Sequence, residues 1–412
     1  MAMLRHHCPF DISIGSIFSQ EGPHQMLFPE PPVLRFPSMG PLTEMAVLYD
    51  FSAALPDPVT IDWDSEVPLV IEQRLAAVVQ RIIRDFGLEP PDHIVGKLQD
   101  AVFAWVQASC IASKKATDDL VALDHAKIEY VVLKGPGIAV SAKHISERPF
   151  TDIDIFVRKE SFGQAISILE KLGYAEEDKN LLPWQGLNRY CREAVNLRTS
   201  SGGSIDVHHQ IPPWYWGSKI DFQKLHDRSV SIVAPCGGRL PCASPTDNLL
   251  ISALHIVSDK NRPGSNLMAW RDFLLLVRTC NPGEVVALAR DAQLCGWLSW
   301  IIDALPDHAR PAKLADALRA ENPRIPGQFR LSMLLPPKIG SRHLIGQVFR
   351  LPIPNAALYL VGMTWPSSTF LRTKISNSDH RRSTWWRSGM TVLNDQRRLP
   401  GASHDPEAPS NR

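Results

Sequence analysis

Apolar side chains recur at helical spacing across residues 67–86 (Val67, Val70, Ile71, Leu75, Val78, Val79, Ile82, Ile83). They predict one amphipathic helix, stopped by Gly87 and the Pro90-Pro91 pair. A second stripe, Ile94, Leu98, Ala101, Val102 and Trp105, predicts a helix capped by Asp92, and a third is expected over about residues 115–126. The pattern then changes period. Residues 128–133 form a compact β-branched and aromatic run, read as a buried strand that stops at Lys134-Gly135-Pro136-Gly137. Residues 152–158 begin by alternating carboxylate and isoleucine and predict a second strand. Phe162, Ala165, Ile166, Leu169 and Leu172 return to helical spacing, with Gly173 as the stop. Two hairpins follow: residues 191–198 with 204–210, and residues 230–242 turning at Gly237-Gly238. Ser244-Pro245-Thr246-Asp247 has the form of a helix start, and helices are expected over about 245–259, 267–279, 283–295 and 312–320.

Five segments result. Residues 1–64, dense in proline and without a sustained period, read as an irregular arm. Residues 65–127 read as an N-terminal helical region, 128–243 as an α/β core and 244–330 as a C-terminal helical region. Residues 331–412 read as an irregular basic tail whose Pro- and Ser-rich end is expected to be disordered.

Composition narrows the class. Of 412 residues, 44% are hydrophobic and 21% charged, as in ordinary globular chains, and the formal net charge of +1 provides no global field for nucleic acid or anionic lipid. Bulk nucleic-acid binding is therefore not expected. No apolar run approaches the ~18–20 residues that span a bilayer, and no signal core follows the first residues. The expectation is a cytoplasmic protein with no membrane partner. The seven cysteines are scattered and never in C-x-x-C spacing, which argues against a disulfide framework and a zinc site.

The chemistry lies in residues 151–157, Thr-Asp-Ile-Asp-Ile-Phe-Val. In a strand, Asp152 and Asp154 project from one side while Ile153, Ile155 and Val157 fill the other. Two carboxylates so close repel each other and lose solvation, so a divalent cation is expected with them: Mg²⁺, with Mn²⁺ as the other candidate. Residues 205–209, Ile-Asp-Val-His-His, repeat the alternation and send Asp206 and His208 to one face. Three carboxylates around one or two metal ions suit phosphoryl or nucleotidyl transfer, and glycine beside a strand end lets backbone N–H groups approach a phosphate. Other readings of a D-x-D stay open: a solvated strand end, or a glycosyltransferase site. No nucleotide-binding run of strands precedes Asp152 to favour the latter. His208 also reads as a hydrogen-bonded structural residue, and Arg148 as an ion-pair partner of Asp152 or Asp154.

Three stretches, Val131-Val132-Leu133-Lys134-Gly135, then Arg148-Pro149-Phe150-Thr151-Asp152-Ile153-Asp154, then Ile205-Asp206-Val207-His208-His209, carry a resemblance. Together they resemble the uncharacterised nucleotidyltransferase family of the polymerase-β-like superfamily, over roughly residues 90–330. The resemblance implies an α/β (α+β) fold with a mixed sheet flanked by helical regions. It implies Asp152, Asp154 and Asp206 as catalytic metal ligands, with Asp206 as ligand or base. Lys134, Gly135, Arg148, Thr151 and His208 are then placed on the nucleotide. The implied partners are a nucleoside triphosphate and an acceptor left open among a small molecule, a peptide and an RNA end. The chain departs from the superfamily pattern at the phosphate loop, where Lys-Gly-Pro-Gly replaces Gly-Ser; the alternative is a catalytically silent nucleotide- or partner-binding accessory protein.

Overall fold

The computed structural model describes residues 34–51, 61–177, 193–212, 217, 219–234, 237–258, 266–321, 353–368 and 371. Seven short strands form one mixed sheet: β1 (Tyr130–Leu133), β2 (Ile153–Val157), β3 (Ala175–Glu176), β4 (Ala194–Arg198), β5 (Ser204–His208), β6 (Val230–Val233) and β7 (Arg239–Cys242). Their spatial order is β3-β4-β5-β2-β1-β7-β6. β2 lies antiparallel to β1 and parallel to β5.

Side-chain alternation sorts the central strands onto two cores. Tyr130, Val132, Ile153, Ile155, Val157, Ile205 and Val207 join one core with α4 (Asp92–His125) and α6 (Phe162–Lys171). Val131, Leu133 and Phe156 join the other, with α1 (Pro41–Leu48), α2 (Trp63–Glu72), α3 (Ala76–Phe86) and the later helices. Those later helices are α8 (Pro245–Ser258), α9 (Leu267–Thr279), α10 (Pro282–Asp291), α11 (Cys295–Ala304) and α12 (Ala312–Ala320). Two short helices, α5 (Gly135–Ala139) and α7 (Phe222–Asp227), lie between strands, and α13 (Ile353–Thr364) stands apart in sequence. By the same alternation Asp154, Asp206 and His208 belong to the sheet face that α8 and α9 cover.

The structure corrects several expectations. Residues 41–48, placed in the irregular arm, form α1, with Leu42, Met45, Ala46, Val47 and Leu48 all buried. A helix buried on every side shows no amphipathic stripe, which is why the pattern hid it. The single helix expected over 67–86 is two helices, broken at Gln73-Arg74-Leu75. The Arg74 N–H donates to Ile71 O at 3.0 Å and the Leu75 N–H to Val70 O at 2.8 Å, a Schellman C-cap with Arg74 at φ 63°. Glycine usually holds that left-handed position, so an arginine there gives no stop signal. The two helices expected between 92 and 126 are one continuous helix of 34 residues. The pattern after residue 282 likewise misses α11, whose Trp297, Leu298, Ile301 and Ile302 are buried. Part of the expected irregular tail, Ile353–Thr364, is helical. The expected disordered C-terminal end lies outside the described residues.

Candidate active site

Parallel pairing aligns Asp154 with Asp206 and Phe156 with His208, while antiparallel pairing sets Leu133 opposite Asp154. The two carboxylates therefore stand side by side on adjacent strands. One ligand atom from each of Asp154, Asp206 and His208 lies within 4.8 Å of the others. Asp152 does not join that group; it precedes the first residue of β2 and interacts by charge with Asp154, Arg74, Lys134 and Arg148.

Asp154 is the best-supported anion of the set. Burial works against its charge, but Lys134, with Nζ 3.8 Å from Oδ1, and the His208 Nε2–H, which donates to Oδ1 at 2.9 Å, hold its carboxyl well below the usual range. Asp206 has the opposite environment: burial, then the charge of Asp154, pushes it up to about 7. Burial and Asp154 also raise Asp152, against the pull of Arg74, Lys134 and Arg148. His255 on α8 is pushed down to about 3, mainly by the Lys134 charge and then by burial.

The Asp206 shift has a sign that can be measured in chelator-treated protein. An acid raised from 3.8 to about 7 on folding is ionised in the unfolded chain before the folded one, so its charge costs stability increasingly from pH 4 to 7. Asp206→Asn is therefore expected to stabilise the metal-free protein at pH 8 by about 1–2 kcal/mol, allowing for screening. The gain should shrink as pH falls from 7 towards 4, read by urea unfolding at each pH.

The expected glycine loop is a short helix. Gly135 opens α5 at φ 22°, and a Cβ there would meet the Phe150 ring at 3.5 Å. At Gly137 a Cβ would come 3.0 Å from Asn248 Nδ2 and 3.3 Å from Cys242 Cβ. At Gly135 the positive φ favours glycine, whereas at Gly137 the close approach of Asn248 and Cys242 does. Asn248 fixes the strand end, accepting from the Lys134 N–H at 2.8 Å and donating to Ala243 O at 2.9 Å.

Arg148 is held by Asp272 on α9, with Nε donating to Oδ1 at 2.5 Å, and donates to Pro149 O at 2.8 Å. Its carboxylate partner is therefore Asp272. Thr151 Oγ1 accepts a long hydrogen bond from Arg74 Nη2 at 3.4 Å. Arg74, Asn248 and the pairing of Arg148 with Asp272 escape sequence reasoning. Arg74 sits inside an apparently continuous helix, and Asn248 and Asp272 lie more than a hundred residues from the strand ends they fix.

The donor set fits a hard divalent cation. Asp154 and Asp206 offer adjacent carboxylate oxygens, and Asp152, half-buried just before β2, adds a third carboxylate whose charge Arg74, Lys134 and Arg148 partly offset. His208 already spends Nε2 on Asp154, which suits an orienting partner of a carboxylate ligand better than a ligand.

Several comparisons with known proteins bear on this site. The profile of the family described as uncharacterised nucleotidyltransferase matches residues 60–306. No curated protein matches the chain. Among solved structures, it is similar to the lincosamide antibiotic adenylyltransferase LnuA in its lincomycin-bound crystal structure. That likeness has 21% identity and a TM-score of 0.27, covering 39% of this chain and 96% of that one. The antibiotic-resistance factor ANT(2'')-Ia gives 16% identity and a TM-score of 0.29, over 45% and 89%. An antigenic nucleotidyltransferase-like protein from Paracoccidioides brasiliensis gives 14% and 0.32, over 51% and 93%. Likenesses at such scores carry nothing about substrate. Among the described residues, no helix is long and apolar enough to cross a membrane. The match over residues 60–306 spans more than half the sequence and includes both acid-bearing strands, so this chain belongs to the uncharacterised nucleotidyltransferase family and is a transferase of that class.

Proposed function

We propose that this protein moves a nucleoside monophosphate from a nucleoside triphosphate to an acceptor hydroxyl or phosphate, with Asp152, Asp154 and Asp206 holding Mg²⁺. The observation that carries the reading is the parallel register that sets Asp154 beside Asp206, with His208 bonded to the first. Bound there, Mg²⁺ would neutralise phosphate charge and make the α-phosphorus a better electrophile. Lys134 and His208 keep Asp154 ionised and fixed in direction. Asp206 stands beside it and receives the proton that an attacking hydroxyl gives up. The acceptor oxygen forms a bond to the α-phosphorus as the bond to the bridging oxygen breaks, and pyrophosphate leaves. Positioning and charge neutralisation supply most of the rate, because phosphoryl chemistry asks little covalent help of protein.

Calorimetry with ATP, GTP, CTP and UTP, followed by an assay of pyrophosphate release against candidate acceptors, tests the reading. At least one triphosphate should bind in Mg²⁺, and chelating the metal should weaken it by about ten-fold or more. Triphosphate binding with no pyrophosphate release from any acceptor would instead favour a silent accessory role. Small molecules with free hydroxyls are the first acceptors to try, with peptides and RNA ends after them.

A further inference from the structure

The cations expected to take the phosphates are already engaged. Lys134 Nζ lies 3.8 Å from Asp154, and Arg148 is held by Asp272 and by Pro149 O. Arg74, which enters from the turn between α2 and α3, is different. Among the described residues it makes no ion pair within 4.0 Å. Its guanidinium lies over the Trp105 ring at 5.0 Å from the centroid, and among the described residues its side-chain hydrogen bond is the long one to Thr151 Oγ1. Thr151 is the residue immediately before Asp152, and Asp152 is the first charge that Arg74 feels. A guanidinium resting on an aromatic face keeps its in-plane N–H fork available, the geometry that matches a phosphate. The turn is also fixed in place: its Schellman bonds close α2, and Gln73 Oε1 accepts from the Leu267 N–H at 3.0 Å, tying it to the start of α9.

We propose that Arg74 is a phosphate-binding residue, taking the pyrophosphate portion of the bound triphosphate from a helix turn outside the α/β core. This rests on the transferase reading above. It assigns to an arginine on the N-terminal helical region the contact that the Lys-Gly-Pro-Gly segment, packed as a helix against Phe150 and Asn248, does not provide with a serine. The left-handed backbone of Arg74 makes the test clean, because glycine is the natural occupant of that position.

The probe is inorganic pyrophosphate with Mg²⁺, which needs no knowledge of the base, measured by calorimetry beside the four triphosphates. Arg74→Gly is expected to keep or gain resistance to urea while losing about 10- to 100-fold in affinity for pyrophosphate and for the bound triphosphate. The matching nucleoside monophosphate should bind both forms alike. Arg74→Lys, which keeps the charge and loses the fork, should fall between them. Equal pyrophosphate affinity in all three forms, with Asp154→Asn abolishing it, overturns this assignment and leaves the transferase reading standing. A wild-type protein that binds neither pyrophosphate nor any of the four triphosphates overturns both.

Discussion

Asp154→Asn is expected to lower turnover at least about a thousand-fold while the fold survives. The substitution keeps shape and one oxygen, so the His208 Nε2–H still finds an acceptor, but the negative charge next to Asp206 is gone. Of the three acids, this one is held ionised by its surroundings, through Lys134 and His208, so losing its charge removes the fixed point of the cluster. The backbone register with β1 and β5 does not depend on the side chain. The check is pyrophosphate release from a labelled triphosphate, beside circular dichroism and urea unfolding of both forms. Full activity in a folded variant would sink the site assignment; loss of activity through unfolding would show as a lost far-ultraviolet signal.

The second large effect is on stability. Arg271→Met is expected to cost about 3–5 kcal/mol, the range for breaking a buried, hydrogen-bonded charge arrangement by removing one member. Arg271 is fully buried on α9, and its guanidinium donates to Ala46 O at 2.9 Å, Tyr49 O at 3.2 Å and Glu147 Oε2 at 3.3 Å. Methionine fills much of the volume but leaves carbonyls at the end of α1 without their donor. It also removes one of two arginines from Glu147, whose other partner, Arg81 Nε, lies 2.7 Å away. Urea unfolding of the variant measures the loss. Arg278→Met is the control, since that side chain makes an exposed bond to Asp50 O and should change stability by less than about 1 kcal/mol. A deficit below 1 kcal/mol for Arg271→Met would show that the arrangement contributes nothing beyond packing.

The sheet and its acids are legible in the sequence because strand alternation is a strict period. Once residues 153–157 and 204–208 are strands, the faces of Asp154, Asp206 and His208 follow. What the alternation cannot give is which strands pair: the direct Asp154–Asp206 alignment comes from the parallel register alone. The helical surroundings read less well, for identifiable reasons. α1 is buried all round and shows no stripe, and the α2–α3 break uses arginine where glycine would have marked it. In the middle of α4, small residues such as Ala108, Ser109, Ala112 and Ser113 interrupt the stripe of large apolar side chains, although the backbone runs through it. The fixing of Arg148 by Asp272 depends on a contact 124 residues apart in sequence, which periodicity cannot encode.

The packing of α1 also redraws the limits of the folding unit. The family match starts at residue 60, yet Phe36 sits edge-on to Trp270 with ring centroids 5.3 Å apart, and its N–H donates to Ala304 O at 3.1 Å. A piece excised at 60–306 would bare a greasy seam along α9 and strand a guanidinium whose carbonyl acceptors had been cut away. The homologous stretch and the self-sufficient globule are therefore not the same length, and dissection should begin no later than residue 34.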